Sequence, residues 1–417
     1  MHSPRAEAPA SVLLYEPFAR GHQAEFLLWI VRAWERRAGR LVVVAPPAVL
    51  AQRPELGDRI AANPHIRFDP LLARLDANSS FRNAVGIHRG LPLREALRRH
   101  RPAQALVMSF EYVVAPLAAR LPLAPGVRLS GLSFRPAPPA APVSAAGRAQ
   151  RAARSALVRA AMRHPQFDVL FSLDPTAVPA IRAENPGVRV EAVPDPVPPG
   201  EATETPEAVR ASFGIEPGRR LVVLPGALDA RKGALVLPEA LLLLDAAIAP
   251  TVAVLLAGQI EPGLDEALRR LVARVQAETR VQVVLHDTYV ATERLPSLLA
   301  AADLVALPYV EHAGSSGFQL RAAAAGVPAL TPDHGLMGHL ARTHALGRTV
   351  DTRSAAAVAR AVEEALATPA AGFDPARARA FAASRSVDGF ADALLDPLVG
   401  PPATSAAPAR PHAPSLR

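Results

Sequence analysis

An α/β protein of two parallel-sheet halves is what three features of the 417-residue sequence predict. Short apolar runs alternate with amphipathic segments along nearly the whole chain. The runs are apolar throughout rather than on alternate residues, which suits strands covered on both faces of a parallel sheet. The alternation breaks once, at Pro194-Asp-Pro-Val-Pro-Pro-Gly200, where four prolines can neither join a sheet nor continue a helix; it then restarts. The expected organisation is a disordered 1–10, a first α/β domain over 11–197, a second over 198–372, a closing helix over 373–399 that packs back toward the first domain, and a disordered tail over 400–417.

Composition narrows the class. There is no cysteine, so there are no disulfides and no thiolate metal site. The first ten residues show no signal pattern and no apolar run approaches the roughly 20 residues that span a bilayer, so a soluble, cytoplasmic protein is expected. The formal charge is +8, but the basic residues are scattered rather than blocked. That argues against nucleic acid as a partner and leaves peripheral contact with anionic membranes open. One of the 46 basic residues is lysine, Lys232; the other 45 are arginine. In a chain that uses arginine almost everywhere, a lone lysine suggests a need for its compact charge.

The first half opens with the strand Ser11–Tyr15 and an amphipathic helix over about 24–37, with Leu27, Ile30, Val31 and Trp34 on one face. Strands are expected at 40–45, 65–68, 103–109, 127–133, 167–172 and 188–193, and helices at 91–100, 145–163 and 175–183. The Pro/Ala-rich stretch 136–143 reads as a loop. Gly21 sits at the first β-to-α junction, where open α/β sheets bind ligands, with His22 beside it. Glu111 follows the carboxyl end of the strand over 103–109.

The second half is more regular. Strands are expected at 220–225, 251–257, 281–286, 304–307, 327–331 and 346–350. Helices are expected at 207–213, from Gly233 to about 244, and at 264–277, 293–302, 354–366 and 375–395. A further alanine-rich helix follows Gly314-Ser-Ser-Gly317 and ends at Gly326, since alanine loses least on helix formation. Two of these junctions can hold an anion. The Gly/Ser loop leads into a helix whose first N–H groups have no helical partner. Gly226-Ala-Leu-Asp-Ala-Arg-Lys-Gly233 places Arg231 and Lys232 between a strand and a helix, with Gly226 allowing close approach of backbone to ligand. Lys232 offers a point charge there and Arg231 a fork for two oxygens.

The combination of that glycine turn and Lys-Gly pair with Ala257-Gly258, Ala302-Asp303, Pro308, the Gly/Ser loop and Ala325-Gly326-Val-Pro328 resembles the C-terminal half of the group-1 (family-four) glycosyltransferases. The likeness covers about 205–370 and extends to the first half by architecture. Leu132-Ser-Phe-Arg-Pro136, Phe171-Ser-Leu-Asp-Pro175 and Pro194-Asp-Pro-Val197 also resemble a bacterial subset. The resemblance implies the GT-B fold, two Rossmann-like domains facing across a cleft, and transfer of a sugar from a nucleotide-diphosphate donor with retained configuration. It also implies no metal and no other cofactor, in keeping with the absence of any Asp-X-Asp sequence.

Residue by residue, the family's phosphate-contacting lysine falls on Lys232, and its arginine on Ala227, with Arg231 as the nearby substitute. Its two spaced glutamates fall on Ala313 and Arg321; Glu311 lies two residues before the first. The second glutamate normally holds the nucleotide ribose, and arginine cannot accept from ribose hydroxyls. The implied catalytic set is Lys232, Arg231 and Glu311. Donor contacts are Gly226, Ser315, Ser316, Gly317, Phe318 and Gln319. The acceptor side comprises Gly21, His22, Glu111 and Arg135. The partners are a nucleotide sugar and a sugar, lipid or other small-molecule acceptor. The missing carboxylates also allow a catalytically silent GT-B protein that binds a nucleotide sugar or a protein partner, and an epimerase acting on a sugar nucleotide is a third reading.

Overall fold

The computed structural model describes residues 11–19, 23–74, 87–134 and 145–401. The expected disordered segment 1–10, most of the expected tail and the Pro/Ala-rich loop 136–143 lie outside them. Two wholly parallel sheets organise the described residues. The first holds β1 (Ser11–Tyr15), β2 (Arg40–Val44), β3 (Ile66–Asp69), β4 (Gln104–Val107), β5 (Arg128–Ser133), β6 (Phe167–Ser172) and β7 (Arg189–Ala192), in the order β3-β2-β1-β4-β5-β6-β7. The second holds β8 (Arg220–Pro225), β9 (Val252–Ala257), β10 (Gln282–His286), β11 (Leu304–Ala306), β12 (Ala329–Pro332) and β13 (Gly347–Val350), in the order β10-β9-β8-β11-β12-β13.

Each order reverses once, between β1 and β4 and between β8 and β11. Connections leave such a pair toward opposite faces, so a crevice opens at the carboxyl ends of the two strands. The central strands are buried on both sides: β9 has no exposed residue, and Val12 to Tyr15 are all buried. In-register pairing brings Tyr15 level with Val44 and Val107, and Pro225 level with Ala257, so the strand ends stop at a common rim.

The amphipathic helix expected over 24–37 is Gln23–Trp34. Its buried face packs with Val12, Leu14, Leu41 and Val43 on one side of the first sheet. The last helix of the chain, Val387–Val399, completes that layer with Phe390, Leu394 and Leu395 fully buried. Phe390 touches Phe26 and Trp29, with ring centroids 4.8 and 6.4 Å apart. Arg37 reinforces the contact with ion pairs to Asp392 and Asp396 at 2.7 and 2.6 Å.

Several elements differ from expectation. The single helix expected over 375–395 is two, Pro375–Ala383 and Val387–Val399, because Ser386 turns extended and caps the second by accepting from the N–H of Gly389. The irregular stretch after β2 holds two helices, Ala48–Gln52 and Pro54–Ala62, the latter with proline at its first position, where its missing N–H costs nothing. Gly335–His344 is a helix that the sequence reading does not include.

Removing the Phe390 ring empties a fully buried site shared by the chain's ends. Phe390→Ala is expected to lower unfolding stability by about 3–5 kcal/mol, read from denaturant melts. A loss below about 1 kcal/mol would show that Val387–Val399 is not part of the first sheet's core.

Candidate functional site

The crevice between β8 and β11 gathers the residues that the sequence singles out. β8 runs into Gly226, whose φ is +86°. A Cβ there would stand 2.5 Å from Cε2 of Phe318 and 2.7 Å from Nζ of Lys232, so only glycine leaves room for both. Asp229 then caps a 3₁₀ turn, Ala230–Lys232, by accepting from the backbone N–H of Lys232 at 2.7 Å. Gly233 ends the turn at φ +76°, close against the carbonyl of Pro308. The N–H of Val310 donates to the carbonyl of Arg231 at 2.7 Å. The loops after β8 and β11 are thereby one unit.

Lys232 points its ammonium over the ring of Phe318, 5.2 Å from the centroid. It makes no side-chain hydrogen bond or ion pair among the described residues. Burial pulls its amine down to about 8, against the carboxylate of Asp229 and with help from the charge of Arg231. Arg231 lies elsewhere: its guanidinium is above Tyr309, 5.5 Å from the ring centroid, with Asp229 at 3.4 Å and Nδ1 of His312 at 3.5 Å.

The loop after β11 is held on several sides. His312 is buried, and its Nε2 lies 2.9 Å from the carbonyl oxygen of Ser315. A carbonyl only accepts, so Nε2 carries the ring proton and Nδ1 faces Arg231 as an acceptor. Ser316 donates its hydroxyl to Tyr309 OH at 3.1 Å, and Ser315 donates its hydroxyl to Asp195 of the proline-rich connector. The carbonyl of Ala313 accepts from Leu336 N–H, and Tyr309's carbonyl from Thr352 Oγ1.

The helix Gly317–Ala325 starts at Ser316, whose hydroxyl, turned to Tyr309, does not cap it. The N–H groups of Gly317, Phe318 and Gln319 therefore have no hydrogen-bond partner among the described residues, beside the Lys232 ammonium. Uncapped amides at the positive end of a helix dipole, near a cation that forms no ion pair among the described residues, are a candidate anion site.

Residues 206–385 match the family model described as glycosyl transferases group 1. A comparison with curated proteins returned no match. Among solved structures, the N-terminal domain of Candida albicans trehalose-6-phosphate phosphatase aligns with TM-score 0.68 at 13% identity, over 95% of this chain and 98% of that chain. Anabaena HepE in complex with UDP aligns with TM-score 0.67 at 15% identity, over 93% and 99%. Sucrose-phosphate synthase from Thermosynechococcus elongatus aligns with TM-score 0.65 at 16% identity, over 93% and 94%. At such identities the structural likeness speaks to the fold, and that fold is GT-B.

Over residues 206–385 the chain is similar to the group 1 glycosyltransferases.

Within the matched residues, the expected donor residues divide by what their side chains do. Gly226, Gly317 and Phe318 stand at the anion site beside Lys232. The hydroxyls of Ser315 and Ser316 are committed to Asp195 and Tyr309. Gln319, expected as a donor contact, has a fully buried side chain that donates to the carbonyl of Met337 at 2.9 Å, so only its backbone reaches the site. Glu311, expected in the catalytic set, is exposed, with left-handed backbone at φ +52°, and its carboxylate makes no hydrogen bond among the described residues.

The acceptor side expected for the first half centres on the crevice between β1 and β4. Gly21, His22 and Arg135 lie outside the described residues. Glu111 is buried and accepts from the hydroxyl of Ser133 at 2.5 Å. Beside it is Glu16, which the sequence reading passed over although a carboxylate directly after an apolar strand is a visible signal. Its Oε1 accepts from the N–H of Phe18 at 2.8 Å, and its carboxylate also receives the hydroxyl of Ser109, which follows β4. Burial lifts Glu16 to about 8, against the bonds from Phe18 and Ser109. The loop after β11 reaches the first half at the end of β5: a Cβ on Gly314 would be 3.7 Å from the carbonyl oxygen of Phe134.

Lys232 is held in a place that disfavours its charge. Below pH 8 the folded protein keeps a charge that the unfolded chain hydrates better, so the protonated amine lowers stability. That penalty fades as pH rises from about 8 toward 10.4, where the unfolded lysine also loses its proton. Lys232→Met is expected to unfold with on the order of 2–3 kcal/mol more stability than the parent at pH 7, with the gain shrinking toward pH 10. Denaturant melts across that range check it; a gain that does not depend on pH, or a loss at pH 7, contradicts the assignment.

Proposed function

We propose that this chain transfers a sugar from a nucleotide-diphosphate donor to a sugar, lipid or other small-molecule acceptor, with retained configuration and without a metal cofactor. The observation that carries this reading is the meeting of Lys232 with the uncapped first turn of Gly317–Ala325 at the crevice between β8 and β11. A diphosphate placed there receives a point charge and backbone N–H donors together. As the bond from the sugar's anomeric carbon to the diphosphate breaks, its electron pair stays on the diphosphate oxygen. The acceptor oxygen forms the new bond to the anomeric carbon and passes its proton to the departing diphosphate oxygen. The same cation and amides then stabilise the charge that grows on the leaving group, the largest usual contribution in sites of this kind.

Arg231 acts from the other side of the Asp229 carboxylate, by orienting the loop and adding positive potential. Acceptor recognition is assigned to the first half, where Glu16 accepts from the N–H of Phe18 and Glu111 from the hydroxyl of Ser133, with Gly21, His22 and Arg135 as the further expected contacts. The HepE structures, in complex with UDP, UDP-glucose, and UDP and glucose, make UDP-glucose the first donor to try.

A second reading has its own support. Ala313 and Arg321 stand where the family carries two carboxylates, and Glu311 is turned to solvent, as expected of a protein that binds a nucleotide sugar without transferring it. Calorimetry with UDP and UDP-glucose, together with product analysis against a panel of acceptors, separates the two. Lys232→Ala is expected to weaken UDP binding by about 10- to 100-fold, the worth of one hydrogen bond to a charged group, and to abolish transfer. Binding without transfer by the parent supports the silent reading. Unchanged binding in Lys232→Ala overturns both.

A further inference from the structure

The amine of Lys232 has an acidic neighbour that is committed elsewhere. One carboxylate oxygen of Asp229 accepts from the backbone N–H of Lys232 at 2.7 Å, and the other faces the Arg231 guanidinium at 3.4 Å. The side-chain ammonium joins no ion pair and makes no hydrogen bond among the described residues. It meets the ring of Phe318, 5.2 Å away at the centroid, and the backbone of Gly226, where an added Cβ would lie 2.7 Å from Nζ.

Two conditions turn a lysine from a point charge into a nucleophile: withdrawal from water and a second cation nearby. Both favour the neutral amine, whose lone pair can attack. Lys232 meets both. Burial is the larger influence, Asp229 opposes it and Arg231 adds to it, and the amine is pulled down to about 8. At pH 7 about one such amine in ten is neutral, against roughly one in a few thousand for an ordinary lysine. The other 45 basic residues are arginines, which keep their proton, so no other side-chain amine competes.

An electrophile suited to this amine is an aldehyde, the form in which the open chain of a reducing sugar exposes its carbonyl. We propose that Lys232 is a covalent capture site: its side-chain amine forms a reversible imine with small aldehydes, open-chain sugars among them, and the imine blocks the crevice between β8 and β11 to the nucleotide. The lone pair of Nζ attacks the carbonyl carbon and the carbon–oxygen bond breaks. Both amine hydrogens leave with that oxygen as water, and a carbon–nitrogen double bond remains, with no change of oxidation state. The capture rests on the amine; the block rests on the donor reading above.

The test uses pyridoxal as the aldehyde. The full chain is exposed to it at pH 7, the imine is fixed with borohydride, and the adduct is located by peptide mass spectrometry. The α-amine of the chain is the other amine present and serves as the internal control. Lys232 is expected to be labelled at least tenfold faster than the lysine of a short unstructured peptide. Saturating UDP is expected to slow that labelling at least tenfold and leave the α-amine unaffected. Lys232→Arg is expected to lose the adduct within its peptide and keep the one on the α-amine. Labelling no faster than that of the peptide lysine overturns the proposal and leaves the donor reading intact. So does fast labelling that persists under UDP, when calorimetry shows UDP bound. Failure of UDP to bind the parent overturns the donor reading and the block together.

Discussion

The site depends on the junction between two loops at the reversal point of the second sheet. β8 and β11 are neighbours in space although 83 residues separate Arg220 from Asp303, whose carboxylate accepts from Arg220 at 3.1 Å and from Leu221 N–H at 2.7 Å. That pairing puts the turn carrying Lys232 beside the loop that begins Gly317–Ala325. Val310 N–H on the carbonyl of Arg231, and Gly233 against the carbonyl of Pro308, then fix their distance. Without this contact the ammonium and the helix amides would be two weak anion sites rather than one.

The arrangement is costly in the free protein. Lys232 is desolvated, the first turn of Gly317–Ala325 is uncapped, and Glu311 holds left-handed backbone. Each would be relieved by a different residue in a protein selected for stability alone. Their clustering at one crevice fits the general pattern in which sites store unfavourable local structure that a ligand then satisfies. Three polar side chains around them are committed elsewhere: Ser315 to the connector, Ser316 to Tyr309, Gln319 to Met337. What the crevice offers a ligand is backbone N–H groups and one amine.

Much of this was legible in the sequence. β8 spans 220–225 and β6 spans 167–172 as read, because fully apolar runs between turn residues leave little freedom. Lys232 stood out as the one lysine, and the Gly/Ser loop as an interruption before an alanine-rich helix. What the sequence hid was non-local. Nothing near Gln319 reveals that Met337 will take its amide, and nothing near Ser315 reveals Asp195, 120 residues earlier. Glu16 is visible as a carboxylate after a strand, but its partner Ser109, 93 residues away, is not. The helices Ala48–Gln52 and Pro54–Ala62 fall in a stretch where no helix was expected, although proline at the first position of the second is a start signal.

Because the chain has one lysine, that side chain can be observed alone. Lysine labelled with carbon-13 at Cε gives a single NMR resonance, and its shift against pH reports the charge of Lys232 directly. The account predicts a midpoint near 8 in the free protein, moving upward by more than a unit when UDP saturates the site, since a bound diphosphate favours the protonated amine. A midpoint near the ordinary lysine value of about 10.4, unmoved by UDP, would contradict it.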